Sequence, residues 1–204
     1  TQQSPSLLSM LSEGITEDFP IPEPEEMLSD LQSRMINDFP VSNPTPSFTV
    51  KDVVPSLEPY SAPAFYLTTP LGDSDNNVIY INRRNSPMGL EVYMTLADEG
   101  FPGDLYQTVY SNRAFLDKDM DPVRKLIWYG GYLEGWALYV EFISYDYAAD
   151  LLEQSGQSDA AQAALLEKHT RSLQLCMYTL LALLLHGVGG GYDQTATYLG
   201  KFGI

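Results

Sequence analysis

The run "TLADEGFPGDLYQTVY", Thr95 to Tyr110, holds the residue pair that most restricts the fold, Pro102 followed by Gly103. Helical patterning runs up to this pair and away from it. Proline has no N–H to give the carbonyl of Asp98, and its ring clashes with that carbonyl, so a helix must end or bend there. One helix is expected over about Pro87–Glu99, with proline in its first turn, and a second over about Asp104–Phe115. Acids flank the break: Asp98 and Glu99 close the first helix and Asp104 opens the second. A helix C-terminus carries partial negative charge and favours cations. Two carboxylates about 5–6 Å apart repel by roughly 3 kcal/mol at an effective dielectric near 20. Such a concentration requires compensation by a bound cation, an arginine such as Arg113, a raised pKa, or solvent exposure.

The rest of the chain adds to this charge. Its 204 residues carry 27 Asp plus Glu against 11 Lys plus Arg, a net charge of −16. No basic footprint is available for nucleic acid phosphates or an anionic membrane, and cations or basic peptides are the favoured partners. Hydrophobic content of 44% and aromatic content of 12% indicate a packed core, in one good-sized domain or two small ones. The lone cysteine, Cys176, can form neither an internal disulfide nor a thiolate cluster, and its place in "LQLCMYTLLALLL" predicts a buried core residue. Tyr178 and Thr179 interrupt that run, which reads as a core helix and not a membrane span. The N-terminus shows no basic, apolar leader pattern, which leaves the cell envelope, secretion and the cytoplasm all open.

Two regions are expected: residues 1–50, rich in proline and acids with one helix, and a helical domain over 51–204. The first helix covers about Glu23–Phe39, where Met27, Leu28, Leu31, Met35 and Ile36 form an apolar stripe. "SNPTPSFTVKDVVPSLEPYSAPAFY" is too rich in proline for a helix and reads as extended chain. "NVIYIN", Asn77–Asn82, is a strand, either at an edge or as one arm of a hairpin, with "LGDSDNN" as its turn. Later helices are expected over about Asp121–Ser155 and Asp159–His186, with a short final one beyond Gly189–Gly191. Three glycines in "YGGYLEGWALYVEF" suggest a tight backbone approach. The fold class is therefore mainly α (α+β), with a small β element, which the family resemblance given next implies to lie beside the helix that ends at Glu99.

"DEGFPGDLYQ" resembles the H-E-x-x-P-G-H-x-x-Q signature of the bacterial domain of unknown function 885 family, a metallopeptidase-like group of zincin type. The resemblance extends over about residues 50–204, through "PAFYLTTP…NNVIYIN", "YGGYLEGWALYVE" and "LHGVGGGYDQTATYLGKFGI". It implies a zincin-like helical fold and a set of roles. The first zinc-ligand histidine falls on Asp98, the general-base glutamate on Glu99, the second histidine on Asp104 and the downstream acidic ligand on Glu134. The histidine of the last motif falls on His186, while a family aspartate and tryptophan become Ala182 and Gly190. The resemblance also implies that relatives are longer, with helical sequence on both sides, so this chain reads as a central to C-terminal piece. Apolar helix faces left uncovered in such a piece favour self-association into a homo-oligomer.

Two imidazoles replaced by carboxylates change the expected chemistry. Zinc prefers neutral imidazole or thiolate, with few carboxylates in a catalytic set. Asp98, Asp104 and Glu134 offer oxygen alone, which suits Ca²⁺, Mg²⁺ or Mn²⁺ better. Calcium and magnesium acidify bound water much less than zinc does. The expectation is a metallopeptidase-like domain that has lost its zinc site, a pseudoenzyme that binds peptide or cation and needs no cofactor. The alternatives are an active metal-dependent peptide hydrolase with Glu99 as general base, and a structural or interaction module of long helices. Plainer roles compete for single residues. Glu134 shares a helix face with Leu138, Glu141 and Tyr145 and can be solvated there. Trp136 and Tyr139 read as core, and His186 as a residue that satisfies the last carbonyls of its helix.

Overall fold

The computed structural model describes residues 19–70, 75–84, 89–116, 121 and 123–201. The start of the expected helix at Pro87 and most of the "LGDSDNN" turn lie outside them. By contact the chain divides into two units, Thr1–Leu165 and Leu166–Ile204.

The first unit is built from helix α1 (Pro24–Arg34), strands β1 (Phe48–Asp52), β2 (Ala64–Leu67) and β3 (Asn77–Ile81), and helices α2 (Leu90–Glu99), α3 (Asp104–Leu116), α4 (Val123–Leu126) and α5 (Gly130–Gln154). It also holds the start of α6 (Ser158–Ala182). The fold is mainly helical with a small three-stranded sheet, as expected. Pro24 opens α1, where its missing N–H costs nothing, and Glu25 and Glu26 complement the positive helix end. The apolar stripe of α1 is buried through Met27, Leu28 and Leu31, and a 3₁₀ turn over Met35–Asn37 ends it.

Strand β3 is the central strand, parallel to β1 and antiparallel to β2. The edge-strand alternative is thus set aside, because both sides of Asn77–Ile81 are paired. Proline-rich sequence on either side conceals the two partners, since β1 and β2 are short runs between prolines. One face of β3 buries Asn77, Ile79 and Ile81, and on the other Tyr80 stacks on Phe65 across the register.

Helix α2 is the hub. It packs against α1, α5 and β2, and Val92, Tyr93, Leu96 and Ala97 are inaccessible to solvent. The Tyr93 hydroxyl donates to Asp30 Oδ2 at 2.6 Å, and Arg34 Nε donates to the same oxygen at 2.8 Å, which ties α2 to α1. The core continues through Phe101, Leu105 and Val109 into Val140, Tyr145, Ala148 and Leu152 of α5.

Three local expectations change. The helix expected over Asp121–Ser155 is interrupted over residues 127–129 and restarts at Gly130. Asp121 still caps it: its Oδ1 accepts from the Val123 N–H at 3.1 Å. Of the three glycines, Gly131 and Gly135 face open space, whereas a Cβ on Gly130 would meet the Trp128 ring at 2.4 Å. Tyr139 is exposed, not core, while Trp136 is partly buried among Phe39, Tyr106 and Tyr139.

The second unit holds the rest of α6, a π-helical turn Leu183–Gly187 that contains His186, and helix α7 (Tyr192–Gly200). Cys176 is exposed here, as are Leu173, Tyr178, Leu180, Leu183 and Leu185, so the expected core helix presents apolar side chains to solvent. Among the described residues no helix is long and apolar enough to cross a membrane.

The turn between α2 and α3 depends on one absent atom. A Cβ on Gly103 would lie 1.6 Å from the backbone oxygen of Asp98, and backbone cannot yield as a side-chain tip can. Gly103→Ala is expected to destabilise the protein by about 3 kcal/mol or more in urea unfolding, as forced overpacking does. A change within about 0.5 kcal/mol would show that the turn is not held this tightly.

Candidate functional site: a carboxylate group at a helix junction

The sequence break becomes a junction in which the last turn of α2 meets the first turn of α3. Gly100 caps α2, and a Cβ there would meet Leu28 Cδ2 at 2.5 Å and the Leu96 carbonyl oxygen at 2.7 Å. Phe101, Pro102 and Gly103 are buried. The Trp136 indole N–H of α5 donates to the Pro102 carbonyl at 2.9 Å, which anchors the "EGWALY" segment on the turn. Trp136 therefore positions the junction in addition to packing.

Asp98, Glu99 and Asp104 are each half-buried, and Glu134 on α5 is exposed. These four carboxylates are near enough to act on one another. Burial pushes the Glu99 carboxyl from an ordinary 4.5 to about 7, with further upward contributions from Asp98, Asp104 and Glu134. The opposing influence is a hydrogen bond at 2.9 Å from the Tyr66 backbone N–H of β2 to Glu99 Oε2. Burial likewise pushes Asp104 from 3.8 to about 6, with Glu134 adding to the rise. Asp104 also sits at the positive end of α3, which favours its anion, yet desolvation wins.

Arg113 does not compensate these acids. Its Nη1 donates to Ser42 Oγ at 2.8 Å and to the Pro44 carbonyl, and Nη2 lies 3.9 Å from Asp75. The junction thus brings together the sequence-predicted Asp98, Glu99, Asp104 and Glu134 as an electrostatic group. His186 belongs to the second unit and is exposed there.

Zinc fits this donor set poorly. The side chains offer only carboxylate oxygens, one of them from exposed Glu134. Among the described residues, no group of three or more His, Cys, Asp or Glu side chains is gathered as a metal ion would require.

One participant was not legible as a site residue. Tyr66 contributes through its backbone, which no side-chain pattern reveals. Gln107, three residues after Asp104, is buried at 4% exposure, and neither its Nε2 nor its Oε1 has a hydrogen-bond partner. Its signal in the sequence is an amide closing "DEGFPGDLYQ". A cavity of about 200 Å³ is lined by Phe39, Pro40, Phe101 and Tyr106 among others, and none of the four acids lines it. Tyr106 is two residues on from Asp104, roughly 200° around the helix and so on its far side.

The family model described as bacterial protein of unknown function (DUF885) matches residues 17–165, well over half of the chain. The chain belongs to this family. No curated protein matches it. Among solved structures, one described as "putative lipoprotein" from Colwellia psychrerythraea superposes with a TM-score of 0.56 at 18% identity. That match covers 98% of this chain and 31% of the other, so this DUF885 chain spans less than a third of that protein's length. At this identity the likeness concerns the fold.

Glu99 and Asp104 both take up protons more readily folded than unfolded. The native state therefore binds more protons from about pH 4 to pH 7, and stability falls as the pH rises through that window. Melting temperature measured against pH should decline across it in the wild type. It should decline less in Glu99→Gln/Asp104→Asn, where the introduced amide carbonyl at position 99 still accepts from the Tyr66 N–H. Equal slopes would mean that the acids are solvated.

Proposed function

We propose that the chain is a carboxylate-lined binding domain that holds the cationic group of a peptide and does not hydrolyse it. The zinc chemistry implied by the family resemblance has been lost with Asp98 and Asp104. The observation that carries this reading is the one-sided electrostatics of the junction. The charged groups that act most strongly on Glu99 are all acids, and Arg113 is engaged elsewhere. An ammonium or guanidinium group placed there relieves repulsion between carboxylates. The overall charge of −16 draws such ligands in.

Metal analysis of the purified protein beside Asp98→His/Asp104→His tests the loss of zinc. The expected result is zinc in the double variant and none in the parent. Stoichiometric zinc in the parent, with cleavage of a broad peptide library, would overturn the proposal.

One observation favours a second reading, a metal-dependent hydrolase. Glu99 is pushed to about 7, where a general base is well poised at neutral pH. That reading requires cleavage dependent on added Mn²⁺ or Zn²⁺ and abolished by Glu99→Gln.

A further inference from the structure

The part of α6 that lies in the second unit leaves an apolar stripe exposed. Leu173, Cys176, Leu180 and Leu183 follow one another at steps of three, four and three, and all four are open to solvent. Leu166 holds the same heptad position as Leu173 one repeat earlier, and half-buried Met177 and Leu184 border the stripe. Such steps place side chains along one line of a helix, the seam on which a second helix interlocks its own. Apolar surface of this extent, continuous along one element, marks a contact surface and not ordinary scatter.

Charge and length select what covers it. Ser172–Tyr192 contains no Asp, Glu, Lys or Arg, although the chain carries −16 overall. Copies of so acidic a chain repel where acids meet, so an approach along this uncharged run is the least opposed. A charged partner finds nothing here to pair with. A membrane does not match either: even wholly helical, Leu173–Val188 rises about 23 Å, short of the roughly 30 Å of bilayer hydrocarbon. A second α6 carries the same steps and the same lack of charge.

We propose that the stripe of Leu173, Cys176, Leu180 and Leu183 is a self-association surface on which a second copy of this chain docks its own α6. This goes beyond the ligand-binding reading and does not depend on it. Half the surface of a helix 10–12 Å across, over residues 166–185, is about 500 Å² per partner. A total of about 1,000 Å² lies at the low end of specific interfaces, so the dimer is reversible and dissociates at micromolar concentration.

Sedimentation of the full chain between about 1 and 500 µM, a range that brackets such an affinity, should show monomer giving way to dimer. Leu173→Gln/Leu180→Gln keeps the helix and adds no charge, and should raise the dissociation constant at least about a hundredfold. Both leucines are exposed, so the dilute variant should melt with the dilute wild type. Tyr178 is 54% exposed and lies on the opposite side of α6, two residues from both Cys176 and Leu180. Tyr178→Gln should therefore leave the dissociation constant unchanged. Cys176 is the single cysteine and reports from the seam itself. Its reaction with a maleimide should slow as wild-type concentration rises, and should not slow in the double variant.

A wild type that stays monomeric over this range overturns the proposal. A dimer that survives Leu173→Gln/Leu180→Gln overturns it too, because another surface then holds the copies together. Loss of the dimer in Tyr178→Gln would mean indiscriminate apolar association and no seam. Monomers that float with phosphatidylcholine vesicles would assign the stripe to lipid instead.

Discussion

The contact between Gly103 and the carbonyl of Asp98 is the constraint on which the acid site depends. With no side chain at position 103, the chain can fold back against the end of α2 and start α3 there. Proline at 102 makes the break obligatory, glycine at 103 makes it compact, and the Trp136 indole N–H then binds the turn to α5. Without that closeness, Asp98, Glu99 and Asp104 would point from separate helix ends into water. With it, three acids from one short run and Glu134 from a distant one share a single field. The geometry is a packing result first and an electrostatic one second.

The energetics of the junction follow an order. Desolvation is the largest influence on both Glu99 and Asp104, ahead of any neighbouring charge. The Tyr66 N–H and the positive end of α3 each favour an anion, and neither is strong enough to reverse the effect of burial. A protein that keeps buried acids near neutrality has either adapted them to a proton or left them for a cation. Among the described residues, Arg113 is engaged by Ser42 and Pro44 and not by these acids.

Much of this was legible in the sequence for physical reasons. Pro102 and Gly103 announce their own break, and the apolar stripe of Met27, Leu28 and Leu31 announces its burial. Strands β1 and β2 were hidden because their flanking prolines argue against regular structure while leaving room for four or five paired residues. The interruption before Gly130 was missed because apolar patterning continues through Ile127, Trp128 and Tyr129 although the backbone does not. Cys176 misled for a different reason. An apolar helix face shows that burial would be favourable, not which surface provides it, and here that face is exposed. At the site, side-chain identity revealed the acids, whereas the Tyr66 backbone donor and the isolation of Gln107 exist only once the chain is folded.

The most direct test is a ¹³C NMR titration of the Glu99 side-chain carboxyl, alone and with saturating N-acetyl-lysine N-methylamide. The account predicts a midpoint near 7 for the free protein and a clear downward shift once the ligand's ammonium joins these acids. A midpoint at the ordinary 4.5 in both samples would contradict it, because Glu99 would then be either solvated or already neutralised from within.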